Sequence, residues 1–341
     1  MRRRCQTAAS LAAPGNRPKN LATRKSFTRS VPIHVGLQLE CRPGLPRGEG
    51  QDPAPGSECR FRREATPTAT TYRPEDSTYS CGMSGFPSTL DPAVAAVLSA
   101  IREAIPSVAG PSLVGLYLFA SLTSGDFDPR MSDIDLIAVL ADPPNDRLAA
   151  RLRRMHEDLA QARPDWDDRI EVIYISKEGL ADCRAVTTTI GVISPGEPFH
   201  LVRAGRDWVL NWYPAREDGV KLIGPPIDTL IPPIPTAEYI EELRRYLADF
   251  INRIDEDATP GWQAFAILSI CRGLHTIRFG QRLSKRQAAL WAQLEFPRWA
   301  DLIYRAVGWR DRQRDPDSQD GRATVQETRA FVTEMTKLAL E

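Results

Sequence analysis

The sequence predicts an α+β chain, an α/β unit built on a mixed sheet and followed by an all-helical C-terminal bundle. Three observations predict it. Residues 91–175 read in the order helix, strand, turn, strand, helix, strand, which is the pattern of an α/β unit. A proline-rich run at 224–235, GPPIDTLIPPIP, then punctuates the chain as a domain boundary does. Beyond it, apolar residues recur at helical spacing towards the C-terminus.

The elements follow in order. In 91–105, DPAVAAVLSAIREAI, Asp91 stands at an N-cap and Pro92 at the first helical position, and Pro106 is expected to stop the helix. Segments 113–119 and 134–140 are short, continuous apolar runs, as buried strands require. Residues 145–163 form an amphipathic pattern, and 169–175, RIEVIYI, reads as a third strand with Glu171 inside it. Between 176 and 235 the signals are weaker: 187–190 reads as a strand and 210–213 as part of a helix. Thr236 is placed to cap a helix whose apolar face is Tyr239, Ile240, Leu243, Tyr246, Leu247 and Phe250. Further helices are expected at 261–279, 284–294, 298–307 and 323–340. The expected division is therefore an extension at 1–82, an α/β domain at 83–232 and a helical domain at 233–341.

Composition narrows the function classes. With 42% hydrophobic and 26% charged residues, the chain is ordinary for a globular protein. No uninterrupted apolar run approaches the roughly 18 residues of a membrane span, so no membrane partner and a cytoplasmic location are expected. The formal net charge is zero, yet residues 1–82 carry 14 Lys/Arg against 7 Asp/Glu, and the remainder carries 30 against 37. An acidic folded part argues against a nucleic-acid partner and suits a small cationic substrate. Four of the six cysteines fall in 1–82, and Cys183 and Cys271 stand alone without zinc spacing, which suits idle thiols in a reducing compartment. Residues 1–82 lack apolar periodicity and are read as a disordered tail, a targeting segment or an artefact upstream of a start at Met83, the last being favoured.

The chemistry concentrates in 113–140, LVGLYLFASLTSGDFDPRMSDIDLIAVL. Side chains alternate along a strand, so Asp133 and Asp135 share one face while Ile134 and Leu136 take the other. Two carboxylates at a strand edge offer oxygen ligands to a hard cation such as Mg²⁺, which keeps positions open for phosphates. The Ala120-Ser121 turn, the polar loop and the Asp-x-Asp strand together resemble the nucleotidyltransferase superfamily that includes polymerase beta. The helix–loop–helix at 269–292, SICRGLHTIRFGQRLSKRQAALWA, is similar to the C-terminal domain of aminoglycoside 3''-adenylyltransferases. The resemblance implies transfer of AMP from ATP to a hydroxyl of a small acceptor of aminoglycoside or aminocyclitol type, with Mg²⁺ held by Asp133, Asp135 and Glu171. It implies Glu171 as candidate base. It also implies Ala120, Ser121, Arg272 and Lys285 as nucleotide-binding residues, with Ser284-Lys285 opening the second helix.

Two departures from the family pattern stand out. The usual turn is Gly-Ser, whereas this chain has Ala120-Ser121. The acid and His with which streptomycin-modifying members contact the drug align with Trp262 and Phe265, the candidate acceptor contacts here. Plain structural readings stand beside each assignment. Ser121 can be a helix cap, Arg272 and Lys285 solvated helix residues, Asp126 and Asp128 loop formers, and Trp291, Trp299 and Trp309 packing residues. The competing functions are a catalytically silent ligand-binding homologue and an enzyme that modifies a macromolecule. Oligomeric state is not legible.

Overall fold

The computed structural model describes residues 90–341 apart from 125–126, 186 and 313–320. The expectations for residues 1–82, for a start at Met83 and for Asp126 lie outside the described residues.

Helix α1 (Pro92–Ala109) opens as its sequence requires, the Asp91 carboxylate accepting from the amides of Ala93 at 2.8 Å and Val94. It does not stop at Pro106. The ring deletes one amide donor in the last turn, where the loss is small, and the helix ends at Gly110 with φ 56°. By length and composition α1 is apolar enough to cross a membrane, which corrects the expectation that no run approaches that length. Its Val97, Leu98, Ile101 and Ile105 lie fully inside the core.

Six strands follow: β1 (Leu113–Leu118), β2 (Ile134–Leu140), β3 (Ile170–Ser176), β4 (Thr188–Ser194), β5 (Glu197–Ala204) and β6 (Val220–Ile223). They form one mixed sheet in the order β5-β4-β3-β2-β1-β6, in which only the β2–β3 pair is parallel. Helix α2 (Asp146–Ala162), capped by the Asn145 side chain, supplies the crossover that a parallel pair needs. Short α3 (Lys177–Ala181) and α4 (Val209–Asp218, with Pro214 inside) complete this half. Strands β5 and β6 were not anticipated. β5 alternates only loosely, and β6 is four residues long, so neither carries much pattern.

The two faces of the sheet differ. Leu136, Ala138, Val172 and Tyr174 join α1 and α2 in one hydrophobic core. Strand alternation turns Asp135 and Glu171 to the opposite face. The second half packs α5 (Thr236–Ala248), α7 (Lys285–Glu295), α8 (Ala300–Asp311) and α9 (Val325–Leu340) around a central α6 (Pro260–Phe279). Thr236 is not the cap of α5. Pro235 occupies that position, and the Thr236 hydroxyl meets the Tyr213 hydroxyl at 3.0 Å instead. Cys183 and Cys271 are free and buried, and Trp299 packs edge-on against Phe331.

Candidate active site

The parallel register of β2 and β3 sets Asp135 directly beside Glu171. Both are 1% exposed, and Asp135 Oδ2 and Glu171 Oε2 have no hydrogen-bond partner. Asp133, 7% exposed, precedes β2 by one residue. Removal from water pushes Glu171 up to about 8, with Asp133 and then Glu197 adding repulsion. Asp135 is raised well above the usual carboxylate range by burial, then by Glu171 and Asp133, against the pull of Lys285 and Arg272. The sheet thus holds carboxylates together at a cost that a cation would offset.

The loop that delivers Asp133 is braced from within. Asp128 accepts from the Arg130 amide at 2.7 Å, and its own amide donates to Ser132 Oγ at 2.9 Å, which is the loop-forming role expected of it. Arg169, 5% exposed, donates to the carbonyls of Pro129 at 2.8 Å and Ser132 at 2.7 Å, tying the start of β3 to the loop. Sequence reading missed this residue. An Arg at a strand start shows its purpose only when the distant carbonyls arrive beside it.

After β1 the chain makes a single 3₁₀ turn, Ala120–Leu122, and among the described residues no α-helix follows before β2. The expectation that Ser121 opens a helix is therefore corrected. Ser121 is fully buried with its Oγ unpartnered, whereas Ala120 and Ser124 line the neighbouring cavity. Ala120 adopts φ 60°, the left-handed conformation that glycine takes freely and an L-residue holds at roughly 1 kcal/mol or more. Ala120→Gly is expected to raise the denaturation midpoint, by up to about 1 kcal/mol after the added freedom of the unfolded chain; a lower midpoint in chemical denaturation would contradict the strain.

From the helical half, α7 starts with a capping box, Ser284 Oγ accepting from the Gln287 amide while the Gln287 side chain accepts from Ser284 N. That cap fixes Lys285 at the first turn. Lys285 is 2% exposed, not solvated, and its Nζ stands 4.7 Å from the centroid of Phe265. Burial, Arg310 and Arg272 hold its ammonium well below the ordinary lysine range, while Asp133 and Asp135 favour its charge. Trp262 and Phe265 do not line the cavity. The Trp262 indole N–H is taken by the Arg253 carbonyl at 2.8 Å, its ring stacks on Phe265 at 5.0 Å, and Phe265 lies beneath Lys285. The two aromatics thus support the lysine rather than face the cavity.

That cavity, about 470 Å³, lies between the sheet and helices α4 to α7. Asp135 and Glu171 line it from the sheet, Ala120 and Ser124 from the turn, and Arg272, Arg282 and Ser284 from the helices. Arg282 is ion-paired with Asp218. Asn211, Tyr246 and Ser269 also line it, three residues that sequence reading did not single out as site residues.

Among the described residues no group of three His, Cys, Asp or Glu side chains forms a ready metal cage. The three-carboxylate set is thus not closed on its own. The donors present still fit a hard divalent cation, since they are oxygens only and two of them lack partners.

Residues 229–337, which span α5 to most of α9, match the family described as aminoglycoside adenylyltransferase, C-terminal domain. Over these residues the chain is similar to that C-terminal domain. Its fold is similar to a solved spectinomycin adenyltransferase, AAD(9), from Enterococcus faecialis with ATP and spectinomycin. The TM-score is 0.58 at 16% identity, covering 72% of this chain and 99% of that one. No curated protein matches the sequence. The match over 229–337 falls on the half for which the sequence motif was the less specific, and the likeness to the solved structure is one of fold that covers more of the chain than that half.

Proposed function

We propose that this aminoglycoside adenylyltransferase-like protein transfers AMP from ATP to a hydroxyl of a small aminocyclitol- or aminoglycoside-type acceptor, with Mg²⁺. One observation carries the reading: Asp135 and Glu171 stand side by side, each with one oxygen that has no hydrogen-bond partner, on a cavity wall that Arg272 shares. Asp133, Asp135 and Glu171 would hold Mg²⁺. When bound, the ion supplies positive charge that stabilises the triphosphate as pyrophosphate departs.

The protein's own groups account for the remainder. The acceptor oxygen attacks the α-phosphorus, the bond to the β-phosphate oxygen breaks, and pyrophosphate leaves. Glu171, which burial makes a stronger base than an ordinary carboxylate, would in its ionised form take the hydroxyl proton once an acceptor is within reach. Arg272 would offer the triphosphate a fork of donors from the cavity wall, and Lys285, held over Phe265 and not itself among the lining residues, a compact charge beside it. Arg169 holds the loop before β2 and so the position of Asp133.

The reading is tested with α-labelled ATP incubated with the protein and either spectinomycin, streptomycin or cell extract. Label on a small molecule is expected. Label confined to protein or RNA would instead favour the macromolecule-modifying reading, and binding of ATP without any labelled product the silent one.

A further inference from the structure

Helix α7 wears its larger apolar residues on the outside. Its buried apolar residues are Ala288, Ala289 and Ala292, which pack it against α6 and α8. Its two leucines point the other way: Leu290 is 54% and Leu294 83% exposed. Residues four apart on a helix stand one above the other, so the two leucines form a single stripe. Across 287–294, QAALWAQL, no residue is charged. On α2, by contrast, the exposed positions include Arg147, Arg151 and Arg154.

The stripe continues into an aromatic surface. Trp291 lies edge-on to Phe279 at 6.0 Å and to Phe296 at 5.8 Å, and Phe279 is itself 49% exposed. With the partly exposed Trp291 and Phe296, these side chains present on the order of 400 Å² of apolar surface, taking roughly 200 Å² for a whole large side chain. One side of a standard protein interface is about 800 Å², somewhat more than half of it apolar. The patch is therefore the size of the apolar centre of one such side.

The charge pattern selects the occupant. Across a two-fold axis, residues near the axis meet their own copies, so a charged stripe would face like charge and an uncharged one does not. At the margins Glu295 is paired with Arg278, and Arg298 with Glu334, so these charges are balanced within one chain. Recognition of a different protein draws on charge as well as shape, and this stripe offers none.

We propose that the outer face of α7 is a self-association surface, on which two copies of this chain pack antiparallel about a two-fold axis with Leu290 of one against Leu294 of the other. The inference stands apart from the AMP-transfer reading, since it uses no residue of the cavity's chemistry.

The test is sedimentation equilibrium of the full chain from about 1 to 200 µM, on the wild type, Leu290→Lys, Leu294→Glu and an equimolar mixture of the two variants. The wild type is expected to pass from the mass of one 38.0 kDa chain to twice that mass as concentration rises. Each variant alone should associate about tenfold or more weakly, because a charge then enters an apolar contact. The mixture should recover much of the association, because the introduced charges are of opposite sign and face each other across the axis. Both leucines are exposed, so the variants' melting temperatures should equal the wild type's at the lowest concentration. A wild type that stays monomeric throughout overturns the proposal and leaves the face to a different partner. Association that neither variant weakens, or that the mixture fails to restore, overturns the α7 pairing.

Discussion

Asp135→Asn is expected to reduce AMP transfer by at least about 10³-fold while leaving the fold more stable than the wild type. The two effects share one cause. Asp135 is a carboxylate held away from water next to Glu171, with Lys285 and Arg272 as partial compensation. An amide of the same shape removes the repulsion and lowers the desolvation cost, so the melting temperature should rise by several degrees. It also removes the charge that a divalent cation requires, so pyrophosphate release should fall to background. Loss of activity together with a lower melting temperature would point to structural damage instead.

Glu171→Gln carries the second large effect, a loss of about 10²–10⁴-fold in turnover if Glu171 takes the acceptor proton. Its stability signature is independent of turnover. In the folded protein Glu171 is pushed up to about 8 from an ordinary 4.5. The folded state therefore holds a proton that the unfolded state has released, and stability falls as pH rises between these values. The penalty is absent below the unfolded pKa and complete above about 8. In metal-free protein, wild type should lose melting temperature from pH 5 to pH 8, and Glu171→Gln should lose much less. Adding Mg²⁺ with ATP at pH 8 should restore the wild type. Parallel pH profiles for the two proteins would show that Glu171 is not the strained group.

Local signals fixed much of this. The cap at Asp91 and the helix opening at Ser284 were legible because a helix start asks for a side-chain acceptor that those residues supply. The shared face of Asp133 and Asp135 followed from alternation alone. Glu171 as the neighbour of Asp135 was a matter of parallel register, which the resemblance supplied and the pairing of β2 with β3 displays. What escaped was tertiary. Pro106 fails to stop α1 because the break falls in the last turn, where Gly110 ends the helix. Strands β5 and β6 are edges, with half-buried or exposed residues that blur the pattern. Phe265 lies beneath Lys285 and Trp262 stacks on Phe265, contacts that an alignment of positions does not display. Asn211, Tyr246 and Ser269 become notable only when the folded chain leaves their polar atoms unpaired beside a cavity.

The central claim is that Asp133, Asp135 and Glu171 serve AMP transfer at the cavity between the sheet and the helices. The most direct measurement is pyrophosphate release from ATP by the wild type and by Asp135→Asn, with and without Mg²⁺, in the presence of spectinomycin. The account predicts release that requires Mg²⁺ and acceptor and is absent in the variant. Equal release by both proteins, or release indifferent to Mg²⁺, would contradict it.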